Sequence, residues 1–164
     1  MPAQSSASLL QISAAASDAA AGRALAPGAL DIAIVGGGPT GVELAGGMRE
    51  LVQKVLARDF PDLDVAAARI TLVEATDRVL GAFTPKLSTR AAKKVERRGV
   101  TRALGTGVQA IEPDAVVLAD GRRIPAATII WAAGVKAGPL AAASGLPLGR
   151  GGRIVVDEQL RVPT

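Results

Sequence analysis

The hydrophobic pattern changes period several times along the chain, and each change marks an element. The stretch 30–35, apolar except for Asp31, reads as a buried strand that enters three glycines, Gly36-Gly37-Gly38. From Pro39 to Arg58 the period becomes helical. Leu44, Met48, Leu51 and Val55 recur on one side, with Ala45, Val52 and Leu56 beside them. Pro39 suits a helix start, where its missing N–H is not needed. Gly46 and Gly47 weaken a helix intrinsically, so here they are expected to allow close packing on a sheet. Residues 59–68 read as loop with a short Ala-rich turn, and 69–74 as a second strand ending in Glu74. Thr84-Pro85 opens a second helix, with Thr84 as its cap and Leu87, Ala91 and Val95 on its buried side. It runs to Arg98, Gly99 ends it, and 100–104 is the next strand.

Beyond residue 104 the runs shorten. Segments 107–111, 115–119 and 122–124 are separated by the turns Glu112-Pro113-Asp114 and Asp120-Gly121, which predicts a three-stranded antiparallel meander over 107–124. Residues 127–132 return to a buried strand that stops at Ala133-Gly134. A turn of helix at 139–144 and a last short strand at 154–157 complete the pattern. Upstream, residues 1–29 form an Ala/Ser-rich leader, expected to be partly helical over 7–24 or disordered, and closed by Pro27-Gly28.

Composition narrows the picture. The 164 residues suit one domain. Phe60, Phe83 and Trp131 are the only aromatics, so the core is aliphatic. That fits a parallel sheet covered on both faces and disfavours a nucleic-acid module of stacked rings. Trp131 is expected to pack in the core, the alternative being that it flanks a cofactor, and Asp114 and Asp120 are expected to be turn residues. Net charge is +4, with a cluster at Arg90, Lys93, Lys94, Arg97, Arg98 and Arg102. It reads as a solvated helix face, the alternative being a phosphate or membrane-surface patch. With no Cys or His in the sequence, disulfides, thiol nucleophiles, His-based triads and His metal sites are excluded. No apolar run of about 18 residues is present, and the N-terminus makes a poor signal peptide.

The candidate chemistry lies in Gly36, Gly38 and Gly41, spaced G-x-G-x-x-G at a strand-to-helix junction. In that pattern the first glycine allows a tight turn, the second lets the backbone approach a pyrophosphate, and the third lets helix and strand pack closely. Phosphates sit at the helix N-terminus, where N–H groups lack intrahelical partners. The alternative is a structural glycine-rich turn. Glu74, at the end of the second strand, stands where such sites hold a ribose, although it is farther along than the usual spacing of about 20 residues. A carboxylate there would favour NAD(H) and repel the extra phosphate of NADP(H). Arg78 close by is a mild counter-argument.

The segments Val35-Gly-Gly-Gly-Pro-Thr-Gly-Val-Glu-Leu-Ala-Gly46, Leu72-Val-Glu-Ala75 and Ile130-Trp-Ala-Ala-Gly-Val135 resemble the NAD(H)-binding domain of two-dinucleotide flavoproteins. Leu146-Pro-Leu148 and Ile154-Val-Val-Asp157 also fit. The similarity is greatest to type II NADH dehydrogenases, the single-subunit NADH:quinone oxidoreductases, and covers about 31–164. It implies a Rossmann-like three-layer α/β fold of the FAD/NAD(P)-binding kind, with a central parallel sheet, helices and the antiparallel meander. It also implies that Gly36, Gly38, Pro39, Thr40 and Gly41 take the pyrophosphate and Glu74 the adenosine ribose. Ala133 and Gly134 would line the nicotinamide. Glu43, in the first helical turn, would face the carboxamide; the alternative is a carboxylate favoured only by the helix dipole. No residue is implied as catalytic or metal-ligating.

The domain, 30–150, would hold NADH against FAD. A family member carries an FAD domain upstream, then a flavin-binding segment and a membrane-docking region downstream. The chain is therefore expected to be a fragment, inactive alone, with 151–164 the start of the return to the FAD domain. The resemblance implies quinone as the parent's acceptor, and the parent is expected to be cytoplasmic and peripheral on the membrane through the C-terminal region. A homodimer is left open, and nucleic acid is not an expected partner. The alternatives are another FAD-dependent reductase, of ferredoxin or nitrite type, or a non-enzymatic NAD(H)-binding redox sensor.

Overall fold

A computed structural model describes Asp18, Ala21 and residues 28–163. Apart from Asp18 and Ala21, the expected 7–24 helix and the leader up to residue 27 lie outside the described residues. The chain divides into two compact units, Met1–Ala133 and Gly134–Thr164.

In the first unit, strand β1 (Ile32–Val35) leads into helix α1 (Pro39–Leu51). The helix continues without a break through a π-helical turn, Val52–Leu56, and one more turn, Ala57–Asp59. Strand β2 (Ile70–Glu74), helix α2 (Pro85–Arg97) and strand β3 (Val100–Leu104) follow. The meander is β4 (Val108–Glu112), β5 (Ala115–Leu118) and β6 (Arg123–Pro125), and β7 (Thr128–Trp131) closes the unit.

The parallel sheet has the order β3-β2-β1-β7, and the meander is a separate antiparallel sheet. The register aligns Ile32 with Ile70 and Thr128, and Val35 with Val73 and Trp131. Because side chains alternate along a strand, β1 feeds two cores. Ile32 and Ile34 join Ile70, Leu72, Ala45, Val52, Ala92 and Val95 on the helical side. Ala33 and Val35 join Val73, Ala103, Val116 and Leu118 on the meander side. Strands buried on both faces are why the sequence shows near-continuous apolar runs at β1 and β2. The resulting order of layers, helices, parallel sheet and meander, is the Rossmann-like three-layer arrangement that the family resemblance implies.

Several details differ from expectation. The buried stripe of α2 is Ser88, Ala92 and Val95, while Leu87 is half exposed. The helix turns this way because Ser88 Oγ donates to the Val79 carbonyl at 2.6 Å, which lets a small polar side chain sit against the preceding loop. Thr84 occupies the cap position but makes no side-chain cap bond. Arg49 of α1 reaches the other end of α2, donating to the Arg98 carbonyl, and also to Ala68. In the second unit, helix α3 (Pro139–Ala143) is the turn of helix expected at 139–144. The 154–157 strand does not form: a single antiparallel bridge joins Leu148 and Ile154, and Val155 and Val156 stay exposed. A strand needs a neighbouring ladder for its backbone groups, and this short unit supplies only one bridge.

Candidate functional site

The site is built at the C-terminal edge of the parallel sheet, where β1 and β2 end and α1 begins. Gly36 has φ +115°, a conformation closed to most L residues. A Cβ there would lie 2.8 Å from the Ala132 carbonyl carbon and the Ala133 nitrogen, so the end of β7 passes directly over this glycine. Gly41 is tighter still: an added Cβ would lie 1.8 Å from the Gly36 carbonyl oxygen and 3.5 Å from Leu72. It is the close-packing glycine of the pattern. Gly38 is the opposite case. It caps α1, no side chain bonds to the helix start, and a Cβ would meet nothing within 4 Å. Pro39 and Thr40 follow, both exposed, and the first helical bond is made only by Val42 N–H to Gly38. The three motif glycines thus have three separate physical reasons, and the one expected to admit a ligand faces open space.

Sequence reasoning passed over Gly37, the middle glycine. Its N–H donates to Glu74 Oε2 at 2.6 Å, and its carbonyl accepts from Leu80 N–H at 2.7 Å. A Cβ at Gly37 would come within 2.9 Å of Glu74 Cβ and Cγ. A side chain at 37 would therefore collide with the one at 74 and displace the carboxylate from the Gly37 N–H. Thr76, also missed, donates its N–H and its hydroxyl to Glu74 Oε1 at 2.9 and 3.0 Å. A carboxylate offers about four acceptor positions, and these bonds leave Oε2 with capacity for another donor. Two traces stood in the sequence: a fourth glycine inside the motif, and a threonine two residues after the strand-end acid. Arg78 does not reach Glu74; it donates to the Gly81 carbonyl.

A cleft of about 200 Å³ opens beside this turn, lined by Gly36, Glu74, Thr106, Gly107, Trp131 and Ala133 among others. Its walls are mostly apolar, with Glu74 and the buried Thr106 as polar points. Trp131 is not core packing. It is 56% exposed at the end of β7, with its indole N–H donating to the Ala133 carbonyl at 2.7 Å. At the last residue of the strand the layers no longer cover it, so the ring forms a wall instead. A larger concavity, about 620 Å³, runs along the outer edge of β3 past Glu96, Arg102 and Arg122. Its arginines already hold Glu96 and Asp120, and it lacks a glycine turn.

Glu43 is the fifth residue of α1 and exposed, and the first turn holds no acid. It is therefore beyond the stretch where the helix dipole acts most strongly. Gly134 begins the second unit with φ +71°. Asp114 and Asp120 are turn residues, as expected. Arg123 beside Asp114 holds that carboxyl below its ordinary range, and the Arg122 N–H does the same for Asp120. No group of ligating side chains that could hold a metal occurs among the described residues.

Residues 6–164 match the family described as pyridine nucleotide-disulphide oxidoreductase. The chain belongs to that family. It is 37% identical over 142 residues to the type II NADH:quinone oxidoreductase Ndh of Mycobacterium tuberculosis, covering 82% of this chain and 31% of that protein. It is 33% identical over 133 residues to the type II NADH:quinone oxidoreductase of Haemophilus influenzae, covering 80% and 30%. The chain thus spans about a third of the length of these relatives. Among solved structures, NDH2 of Plasmodium falciparum in complex with NADH shares the fold, with TM-score 0.62 and 21% identity over 68% of this chain and 24% of that one. A ferredoxin reductase of Rhodopseudomonas palustris matches with TM-score 0.60 and 26% identity over 80% and 30%.

Proposed function

We propose that this chain is the NADH-holding part of a flavin-dependent NADH:quinone oxidoreductase. The carrying observation is Glu74, fixed by Gly37 and Thr76 directly beside a helix N-terminus whose Gly38 is open to a ligand. Oriented amides and the positive end of a helix suit a pyrophosphate. Gly36, Gly38, Pro39, Thr40 and Gly41 form that cradle. Glu74 accepts from the ribose hydroxyls and disfavours a phosphate in their place. The cleft between Gly107 and Trp131 takes apolar ring surface, and the backbone at Ala133 and Gly134 lies on the nicotinamide side. Glu43, one turn into α1 and exposed, is assigned to the carboxamide.

NADH supplies a hydride when bound, and no residue of this chain needs to act as acid or base for that. The chain's own work is to hold and orient the nucleotide and to exclude NADPH. FAD and the quinone belong to the rest of that enzyme, whose C-terminal region also attaches it to the cytoplasmic face of a membrane, and this chain can pair as a homodimer. Trp131 is the sole tryptophan and lines the cleft, so NADH titration is expected to quench its emission by energy transfer to the nicotinamide. Emission that stays constant up to millimolar NADH would overturn the reading. Stoichiometric FAD binding would overturn the division of labour.

A further inference from the structure

We propose that the outward face of α2 is a docking surface for an anionic lipid bilayer. The helix with its cap residue Arg98 carries six cations and one anion, Glu96, whereas the whole chain nets +4, so everything else together is slightly negative. At 100° per residue, Lys86, Arg90, Lys93, Lys94 and Arg97 fall within an arc of about 100°, directly opposite the buried Ser88, Ala92 and Val95. All five are exposed, and none makes an ion pair among the described residues. The contrast with the rest of the first unit is sharp. Apart from Arg98, its other described cations donate to a carboxylate or a carbonyl: Arg49 to backbone oxygens, Lys54 to Glu50, Arg69 to Asp31, Arg123 to Glu112 and Asp114. Glu96 lies off the arc and is held by Arg102. The cationic face has no internal counter-charge.

The flanking residues choose the occupant. Phe83, 44% exposed, and Leu87, 50% exposed, sit at the N-terminal edge of the arc beside Lys86 and Arg90. Apolar side chains bordering a basic face are the chemistry of helices that lie at a membrane interface. Duplex phosphates would have no use for Phe83 and Leu87. Three of the five cations are lysines, a residue depleted in protein–protein interfaces but effective as a point charge on a long stem at a headgroup layer.

The test is co-sedimentation of the full chain with extruded vesicles of phosphatidylcholine, with and without phosphatidylglycerol, at low and high salt. The expected result is partition onto phosphatidylglycerol vesicles only, falling as salt rises. Substituting Lys86→Gln, Arg90→Gln and Lys93→Gln together should lower the partition roughly a hundredfold, at about fivefold per cation, with an unchanged melting temperature. Lys93→Gln alone should lower it about fivefold, and Leu87→Asn should give a smaller, salt-independent loss. Failure of the wild-type chain to sediment at low salt would overturn the proposal. So would full retention by the triple variant, or displacement from the vesicles by duplex DNA at matched phosphate concentration. None of these readouts depends on NADH, so this proposal and the nucleotide site stand or fall separately.

Discussion

Asp31 and Glu74 are carboxylates at opposite ends of neighbouring strands, and they are treated in opposite ways. Asp31 precedes β1 and is buried. It takes the Arg69 backbone N–H on one oxygen and the Arg69 guanidinium, through two nitrogens, on the other. Its charge is matched by an adjacent cation, and that end of the sheet is closed. Glu74 ends β2 and is held only by uncharged donors, Gly37 and Thr76. Its charge is oriented but not neutralised, beside a helix start that no side chain caps. A closed ion pair is a fastening; an oriented, unneutralised carboxylate at the carboxyl end of a parallel sheet, where ligands bind in open α/β folds, is a receptor.

The comparison can be broken most severely at the scaffold of the open end. Gly41→Ala puts a methyl group into the Gly36 carbonyl, and neither backbone can yield. Unfolding in urea should show a loss of about 3 kcal/mol or more, whereas Gly38→Ala, in open space, should change stability by less than about 1 kcal/mol yet weaken NADH binding. Equal stability losses in the two would refute the separate roles assigned to these glycines. At the closed end, Asp31→Ala removes the acceptor of the part-buried Arg69 backbone N–H and of its exposed guanidinium and should cost about 1 kcal/mol of stability. NADH affinity of the folded fraction should be unchanged, and a large change would blur the distinction between the two ends.

Glu74→Gln should do the reverse. The amide offers one acceptor oxygen where the carboxylate offered two, so Gly37 and Thr76 cannot both be served, and NADH should bind about tenfold to a hundredfold more weakly, the worth of one charge-assisted bond. Stability measured by thermal melting should fall much less. The smallest effect is in the meander. The Asp114 carboxyl titrates below its ordinary value in the folded chain because of Arg123, and Asp120 does so because of the Arg122 N–H. A folded-state value below the unfolded one contributes stability that is fully present above the unfolded value and lost as pH falls through the folded one. Asp114→Asn should therefore lower the melting temperature slightly at neutral pH and not at all in strong acid.

Much of the sheet could be read from the residues because β1 and β2 are buried on both faces, so their sequences leave little choice. The G-x-G-x-x-G spacing located the site, and Glu74 was found from its place at a strand end. What escaped was set by contacts between distant segments. Nothing local says that Gly37 must be glycine; the reason is Glu74, 37 residues away. The phase of α2 was misread by one residue because Ser88, polar in sequence, is buried through its bond to Val79. Trp131 was misplaced because a ring at the last position of a strand can lie outside the layers that cover the rest of it. The 154–157 strand failed because apolar residues make a strand only where a ladder is available.

The central claim is that the carboxylate of Glu74 selects the nucleotide. Calorimetric titration of the wild-type chain with NADH and with NADPH tests it most directly. NADH should bind at least about tenfold more tightly, a difference of about 1.4 kcal/mol. Equal affinity for the two would contradict it.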